Sequence, residues 1–320
     1  MTTPGVELVK KKLKSIAFEF LANPVRLRQR LDKLAQSDAS VILSLHRVAP
    51  DDGSSYRPLS PEIFEALLSY VKKEFSLCPI GDLAKRSDRP KLALSFDDGY
   101  LDFYTYAMPL LSKHGVKVNQ NVIPSCMETG RPPLNVMAQD FIGQAPAELV
   151  NKLDIPGFFL SNKHHLSERL SSFLKFSPTA QRDELEKYLL PQFERFEGFA
   201  PTAMMSLDQV KHVGQLHELG AHSYSHASMA HESPEFFRQD VQNCKSYFRE
   251  KLGLAVNIYA FPNGSYRTEH LQILRDEGIA HALLVGETFA DGQLNRFTFD
   301  AAGESEMRYK ATGRRAPIAA

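Results

Sequence analysis

The chain has 320 residues, of which 43% are hydrophobic, and this is enough for the core of one large domain or two small ones. Its 38 lysines and arginines balance 38 aspartates and glutamates, so it lacks the basic excess that nucleic-acid-binding proteins usually carry. No stretch approaches the roughly 20 apolar residues that a membrane-spanning helix needs. We therefore expect a globular protein with no nucleic-acid partner.

The cysteines and the N-terminus bear on the cellular compartment. Cys78, Cys126 and Cys244 are few, odd in number and scattered, which is typical of a reducing compartment rather than of a disulfide framework. Four lysines interrupt the apolar residues of the N-terminus, and no long apolar region with a small-residue cleavage site follows. We expect a cytoplasmic protein.

Residues 1–40 are predicted to form a basic helical arm. Basic residues outnumber acidic ones there, and apolar residues between Leu8 and Phe20 recur at roughly helical spacing beside the lysines. One interpretation is peripheral contact with an anionic membrane surface through an amphipathic helix. The other is a helix that packs on the domain and exposes its lysines to solvent.

Residues 41–320 alternate between strand and helix patterns, which favours βαβ units and a mainly parallel sheet. The strand patterns cover residues 41–45, 92–96, 116–123, 256–261, 280–285 and 296–299, with another after residue 219. The helix patterns cover residues 61–75, 106–113, 206–219, 234–252 and 269–278. We expect an α/β fold of the barrel type.

The region from about residue 128 to residue 200 interrupts this alternation. It contains repeated prolines and helical patterns, and it is too long for a loop in a compact domain. We interpret it as a mostly helical insertion over one face of the barrel. Its residues leave open whether it shapes a substrate cleft or only caps the structure.

Two short stretches carry acids and imidazoles directly after strand patterns. Asp97 and Asp98 follow the run 92–96, and His222 and His226 follow Leu-Gly-Ala at 219–221. One acid and two histidines are a common way to hold a divalent metal while coordination positions stay open for water and substrate. The second acid is then free to act as a base. The pattern predicts a hydrolytic metal site at the mouth of a barrel.

These stretches resemble the motifs of a known family. Residues 95–99 (Ser-Phe-Asp-Asp-Gly) and 222–226 (His-Ser-Tyr-Ser-His) are similar to the first two motifs of the polysaccharide deacetylases, and 259–264 (Tyr-Ala-Phe-Pro-Asn-Gly) to the third. The family comprises the family-four carbohydrate esterases, including nodulation-type chitooligosaccharide deacetylases. The resemblance spans residues 41 to 299 and implies a distorted, incomplete (β/α) barrel of about seven strands.

The resemblance also implies roles for individual residues. Asp97 would be the general base, and Asp98, His222 and His226 would bind Zn²⁺ or another divalent transition metal such as Co²⁺ or Ni²⁺. The backbone amide of Asn263 would stabilise the oxyanion, a role that requires only an N–H group aimed at the developing charge.

The chain departs from the family pattern in three places. Ala260 stands where an arginine often orients the base, the chain contains no tryptophan, and the late Leu-x-His whose histidine protonates the leaving amine is missing. We expect His46, at the end of an early strand, to replace this general acid. Arg267 is a candidate for the missing arginine.

The expected function is a metal-dependent deacetylase that removes an N-acetyl group from an amino sugar or from a glycan precursor of a surface polysaccharide. The expected partner is an N-acetylated sugar or a lipid-linked glycan. Two alternatives stay open: a cyclic-amide hydrolase of the same fold acting on allantoin-like rings, and a catalytically weak relative that binds glycan.

Overall fold

The computed structural model describes residues 4–37, 40–158, 165–286 and 294–313. Of residues 4–8, 10 and 11 it describes the backbone only. Within these ranges no helix is both long and apolar enough to cross a bilayer.

All strand pairings in the sheet are parallel, and seven strands close a barrel because β1 pairs with both β3 and β8. An eighth strand, β2, lies on the outside of β3. This arrangement confirms the predicted α/β barrel of about seven strands. The strands are β1 (Ser40–Leu45), β2 (Ser76–Leu77), β3 (Lys91–Phe96), β4 (Asn119–Val122), β5 (Glu218–Ala221), β6 (Ile258–Ala260), β7 (His281–Val285) and β8 (Leu294–Thr298).

The barrel strands are buried on both faces, which explains why they read as continuous apolar runs. Every residue of β3 is buried, and Phe96 packs edge-to-face on Phe64 of the first barrel helix at 5.7 Å between ring centroids. That helix begins where predicted, because the Ser60 side chain accepts a hydrogen bond from the backbone N–H of Ile63 and a proline follows.

The helices follow the predicted order, with some differences at their ends. The predicted helix 206–219 ends at Leu216, because residues 218–221 extend into β5 beside β4. The helices are α1 (Pro4–Leu21), α2 (Pro24–Gln36), α3 (Pro61–Glu74), α4 (Met108–His114), α5 (Pro124–Thr129), α6 (Leu134–Gln144), α7 (Ala147–Val150), α8 (Leu166–Phe176), α9 (Thr179–Phe193), α10 (Leu207–Leu216), α11 (Pro234–Tyr247), α12 (Thr268–Asp276) and α13 (Glu304–Lys310).

Helices α1 and α2 precede the barrel, and α1 packs on α13 at the other end of the chain. Phe18 is buried against the ring of Tyr309, and the Lys14 ammonium lies 2.9 Å from the Glu306 carboxylate. One face of α1 is therefore docked on the protein. The division into arm and barrel at residue 40 stays a prediction.

Between β4 and α10 the chain forms the helices α5 to α9. Helices α6 to α9 enclose a hydrophobic cluster of their own, in which Phe141 and Phe193 stack at 4.8 Å between ring centroids. The segment is thus a folded helical layer with its own apolar core.

Candidate active site

The first carboxylates of the site occupy the turn that ends β3. Asp97 and Asp98 are both buried, and the backbone N–H of Gly99 donates to the carbonyl of Asp97 at 3.0 Å. Gly99 has φ +85°, and a Cβ there would lie 3.0 Å from Met127, so the turn favours glycine. The turn brings two adjacent carboxylates to the carboxyl end of the barrel.

The two imidazoles come from the loop that follows β5. His222 shares a hydrogen bond between its Nδ1 and the carbonyl oxygen of Ala260 at 2.9 Å, so Nδ1 carries the proton and Nε2 is left as a ligand atom. That Nε2 lies 3.3 Å from Asp98 Oδ1, and Nε2 of His226 lies 3.5 Å from the same oxygen.

Unfavourable backbone conformations are concentrated at this site. Within the described residues, the non-glycine residues with positive φ are Asp98 (75°), Ser223 (61°), His226 (54°) and Asn263 (56°). All four belong to the turns that form the site, and each such conformation costs on the order of 1–3 kcal/mol. The surrounding contacts hold these turns in conformations that the chain would not adopt alone.

The donor set fits a divalent transition metal. One ligand atom each from Asp98, His222 and His226 lies within 4.8 Å of the other two. Asp98 Oδ1 is buried and accepts no hydrogen bond within the described chain. A buried carboxylate oxygen between two imidazole nitrogens is the environment that Zn²⁺ and similar ions select.

A buried carboxylate on α11 supports the histidine loop. Asp240 accepts hydrogen bonds from the hydroxyls of Ser223 and Ser225, from the backbone N–H groups of Tyr224 and Ser225, and from the Tyr259 hydroxyl, at 2.9–3.3 Å. It thereby fixes the strained backbone between the two histidines. Sequence reasoning missed Asp240, because its distance from the histidines in the chain gives no sign of the contact.

Asp97 is held beside the other three groups, and its Oδ2 lies 3.9 Å from Nε2 of His222. Its Oδ1 accepts from Arg296 of β8 at 2.7 Å and from the Asn121 side chain of β4 at 2.8 Å. Burial disfavours its charge, yet the Arg296 guanidinium, with His222 and His46, keeps the pKa of Asp97 well below its usual value. The carboxylate is therefore ionised at neutral pH, as a general base must be.

The expectation that Arg267 replaces the missing arginine is wrong. Arg267 bonds the carbonyl oxygens of Ala230 and Glu232 and the Glu269 carboxylate, so its guanidinium is engaged elsewhere. The arginine beside Asp97 is Arg296, which the strand pattern at 296–299 did contain. A buried arginine on a barrel strand was the available signal, since such a charge requires a partner.

His46 follows β1, next to the turn after β3, because Leu45 pairs with Phe96. Its Nε2 lies 4.0 Å from Asp97 Oδ2, and the side chain is half-buried. Burial lowers the pKa of His46, against the opposing effect of Asp98 and Asp97. His46 thus lies at the same mouth as the two acids, and its role as the acid stays a prediction.

Asn263 lies in the turn that follows β6. Its side-chain amide donates to the Ser228 hydroxyl at 3.0 Å, and that hydroxyl donates in turn to the carbonyl oxygen of Lys175 on α8. This chain of contacts joins the third motif to the histidine loop and to the helical layer. The turn is thereby fixed at the edge of the site.

All six predicted site residues line one cavity of about 700 Å³. Side chains of the helical layer contribute to its wall, among them Asn135, Val136 and Lys175. Arg182 of α9 donates to the carbonyl oxygens of Ser225 and His226 at 2.8 and 2.7 Å. The helical layer therefore forms part of the cavity and contacts the histidine loop directly.

Comparison of the chain with known protein families tests the resemblance that the motifs indicated. A family model described as polysaccharide deacetylase matches residues 192–282, a stretch that contains both histidines and Asn263 but neither aspartate. No curated protein matches the chain in sequence. The match confirms the resemblance to the polysaccharide deacetylases that the motifs indicated.

Three solved structures have the same fold at low sequence identity. The deacetylase PplD of Streptococcus pyogenes, solved with acetate, is 18% identical with a TM-score of 0.55, over 85% of this chain and 97% of that one. IcaB from Ammonifex degensii is 17% identical with a TM-score of 0.56, over 87% and 98%. A de-N-acetylase from Aggregatibacter actinomycetemcomitans is 15% identical with a TM-score of 0.53, over 84% and 99%.

Proposed function

We propose that this protein is a metal-dependent deacetylase that removes the acetyl group from an N-acetylated amino sugar or from a glycan precursor of a surface polysaccharide. The observation that carries the proposal is a buried donor set of Asp98, His222 and His226 with a second, ionised carboxylate, Asp97, beside it. Hydrolysis of an unactivated amide requires these two elements, a site for a metal ion and an adjacent general base.

In this proposal Asp98, His222 and His226 hold the cation. The chemistry that a divalent ion would supply there is polarisation of the acetyl carbonyl and a lower pKa of a water molecule. Asp97 accepts the proton of the attacking water, and Arg296 and Asn121 keep the carboxylate oriented and ionised. His46, whose Nε2 lies 4.0 Å from Asp97 Oδ2, takes up this proton and delivers it to the departing nitrogen.

The cavity supports a sugar substrate over a small ring. Its volume of about 700 Å³ lies well within the range of ligand sites and exceeds the size of an allantoin-like ring. The backbone amide of Asn263, at the edge of the cavity, stabilises the oxyanion. Opening of an allantoin-like ring is the competing activity.

The assay measures acetate release from N-acetylglucosamine oligomers by apoprotein reconstituted with Zn²⁺, Co²⁺ or Ni²⁺. We expect metal-dependent release, which Asp97→Asn lowers by about 10²–10⁴-fold while metal affinity stays unchanged. His226→Ala should lose both metal affinity and activity. Metal-dependent opening of allantoin without acetate release would replace the proposal with the cyclic-amide activity, and sugar binding without turnover would replace it with the glycan-binding one.

We further propose that α1 rests on an anionic membrane surface on the cytoplasmic side. Its face opposite Phe18 exposes Val9, Leu13, Ile16 and Phe20, each 53–61% accessible and spaced as one helical stripe. The Arg26 guanidinium lies 3.6 Å from the Phe20 ring centroid and adds positive charge beside the stripe. An apolar stripe with basic neighbours is complementary to anionic lipid. The three cysteines are unpaired, which supports a reducing compartment.

Co-sedimentation with phosphatidylserine vesicles tests this contact. We expect Leu13→Glu with Ile16→Glu to abolish binding, and Leu216→Glu, at another exposed leucine, to retain it. Equal binding by all variants contradicts the membrane contact, and loss of a dimer in the double variant would assign the stripe to a second copy of the chain.

A further inference from the structure

We propose that Lys175 and Arg57 bind an anionic group of the substrate, so that the preferred substrate is an N-acetylated amino sugar carrying a phosphate or a carboxylate. The inference rests on the proposed deacetylase function and specifies its substrate class. It gives the helical layer, which sequence patterns alone left without a role, a part in specificity.

Lys175 places a half-buried ammonium group in the cavity. It lies at the end of α8 and lines the cavity together with the residues proposed to hold the metal. Within the described residues it forms no ion pair. Burial lowers the pKa of Lys175, and Asp98 is the group whose charge opposes that shift. A half-buried ammonium usually has a partner, because burial without one is costly.

The charge near Lys175 changes when the metal site is filled. A divalent cation on one carboxylate and two neutral imidazoles leaves a net positive charge at the site. The attraction that Asp98 offers to Lys175 is then cancelled by the ion. An anionic group of the substrate next to the acetamido group would supply the missing negative charge.

Arg57 provides a second cation in the lining of the same cavity. It belongs to the loop between β1 and α3, is exposed, and forms no ion pair within the described chain. The other lysine and arginine side chains of the cavity are engaged: Arg47 with Asp52 and Asp102, Lys14 with Glu306, and Arg296 with Asp97. Arg57 and Lys175 are thus the cations available to a ligand.

The backbone of Lys175 is anchored, as a specificity residue requires. Its carbonyl oxygen accepts from the Ser228 hydroxyl, which also accepts from the Asn263 side chain. Arg182, on the next helix, holds the carbonyl oxygens of the histidine loop. The backbone at the base of the Lys175 side chain is therefore held beside the histidine loop.

The experiment compares kcat/KM of the zinc-loaded enzyme for N-acetylglucosamine 1-phosphate, N-acetylmuramic acid and neutral diacetylchitobiose. We expect a preference for an anionic substrate, which Lys175→Met reduces by about tenfold or more and Lys175→Arg largely retains. The exposed Lys152→Met, on the same helical layer, should keep the preference. The phosphate and carboxylate arms identify which anion the cavity accepts.

A binding measurement separates this inference from the deacetylase proposal. In the zinc-loaded Asp97→Asn background, titration calorimetry should show tenfold or weaker binding of the anionic sugar after Lys175→Met, with an unchanged melting temperature. An unchanged affinity and preference in Lys175→Met, or a wild-type preference for the neutral sugar, overturns the inference even if acetate is released. Absence of acetate release from every substrate refutes the deacetylase proposal, and the calorimetric result still decides the role of Lys175.

Discussion

The site has two halves that are built in different ways. The ligand half, Asp98, His222 and His226, comes from two turns that each follow a strand directly. The base half, Asp97 with Arg296, Asn121 and His46, draws on four different strands or their ends. The residues of the ligand half therefore belong to short sequence motifs, whereas the residues of the base half are brought together only when the barrel closes. Disturbing each half should have separable consequences for metal affinity and for turnover.

The largest effect is expected from the base half. Arg296→Lys should lower kcat/KM by about 10²-fold and move the acidic limb of the pH profile to higher pH, because the guanidinium lowers the pKa of Asp97 and a base must be ionised to act. Metal affinity should be retained.

The matched control is Arg267→Met, since that arginine contacts none of the base half. It should leave the acidic limb in place. An unshifted limb in Arg296→Lys would contradict the role of this arginine, and Arg296→Met is less suitable because an unpaired buried carboxylate would destabilise the fold by about 3–5 kcal/mol.

His46→Ala tests the proton donor. We expect about 10²-fold slower acetate release from an N-acetyl sugar and a much smaller effect on 4-nitrophenyl acetate, whose leaving group departs without protonation. Steady-state kinetics on both substrates provides the measurement. An equal loss on both would assign His46 to binding or folding.

Metal binding by the ligand half should depend on Asp240, which supports the histidine loop. Asp240→Asn weakens the contacts that hold the histidine loop, so we expect 10–100-fold lower zinc affinity by competition with a chelating dye. Turnover at saturating zinc should change less than it does in Arg296→Lys. Unchanged zinc affinity would show that the loop keeps its conformation without the carboxylate.

The smallest effect concerns a histidine outside both halves. Burial, with Lys117 nearby, lowers the pKa of His217 to about 4, so the folded protein keeps this imidazole neutral while the unfolded chain protonates it. The contribution of the neutral imidazole to the free energy of unfolding is complete above pH about 6.5 and is lost as pH falls towards 4. At pH 4.5 the loss is about 2 kcal/mol. Urea unfolding at pH 7 and at pH 4.5 measures the difference in the free energy of unfolding between the two pH values. His217→Phe should make this difference smaller by the contribution of His217. His165→Phe, at an exposed histidine, is the control and should leave it unchanged.

Sequence reasoning reached the barrel through strand patterns and the motifs through their fixed spacing. It missed β2, which has only two residues, and α13, which is short and polar. It also assigned the orienting arginine to position 267, because proximity along the chain to the third motif was the available guide. The actual partner of Asp97 lies 199 residues away in sequence.

The residue order by itself determined the type of fold and the identity of the two aspartates and two histidines at the mouth of the barrel, because alternating patterns and closely spaced polar residues are local properties. Only the tertiary structure decided which cation faces Asp97, which carboxylate braces the histidine loop and which lysine of the helical layer reaches the cavity. Those choices depend on strands closing into a ring and on a distant layer packing over it. Neither barrel closure nor the packing of the layer produces a pattern at fixed spacing in the sequence.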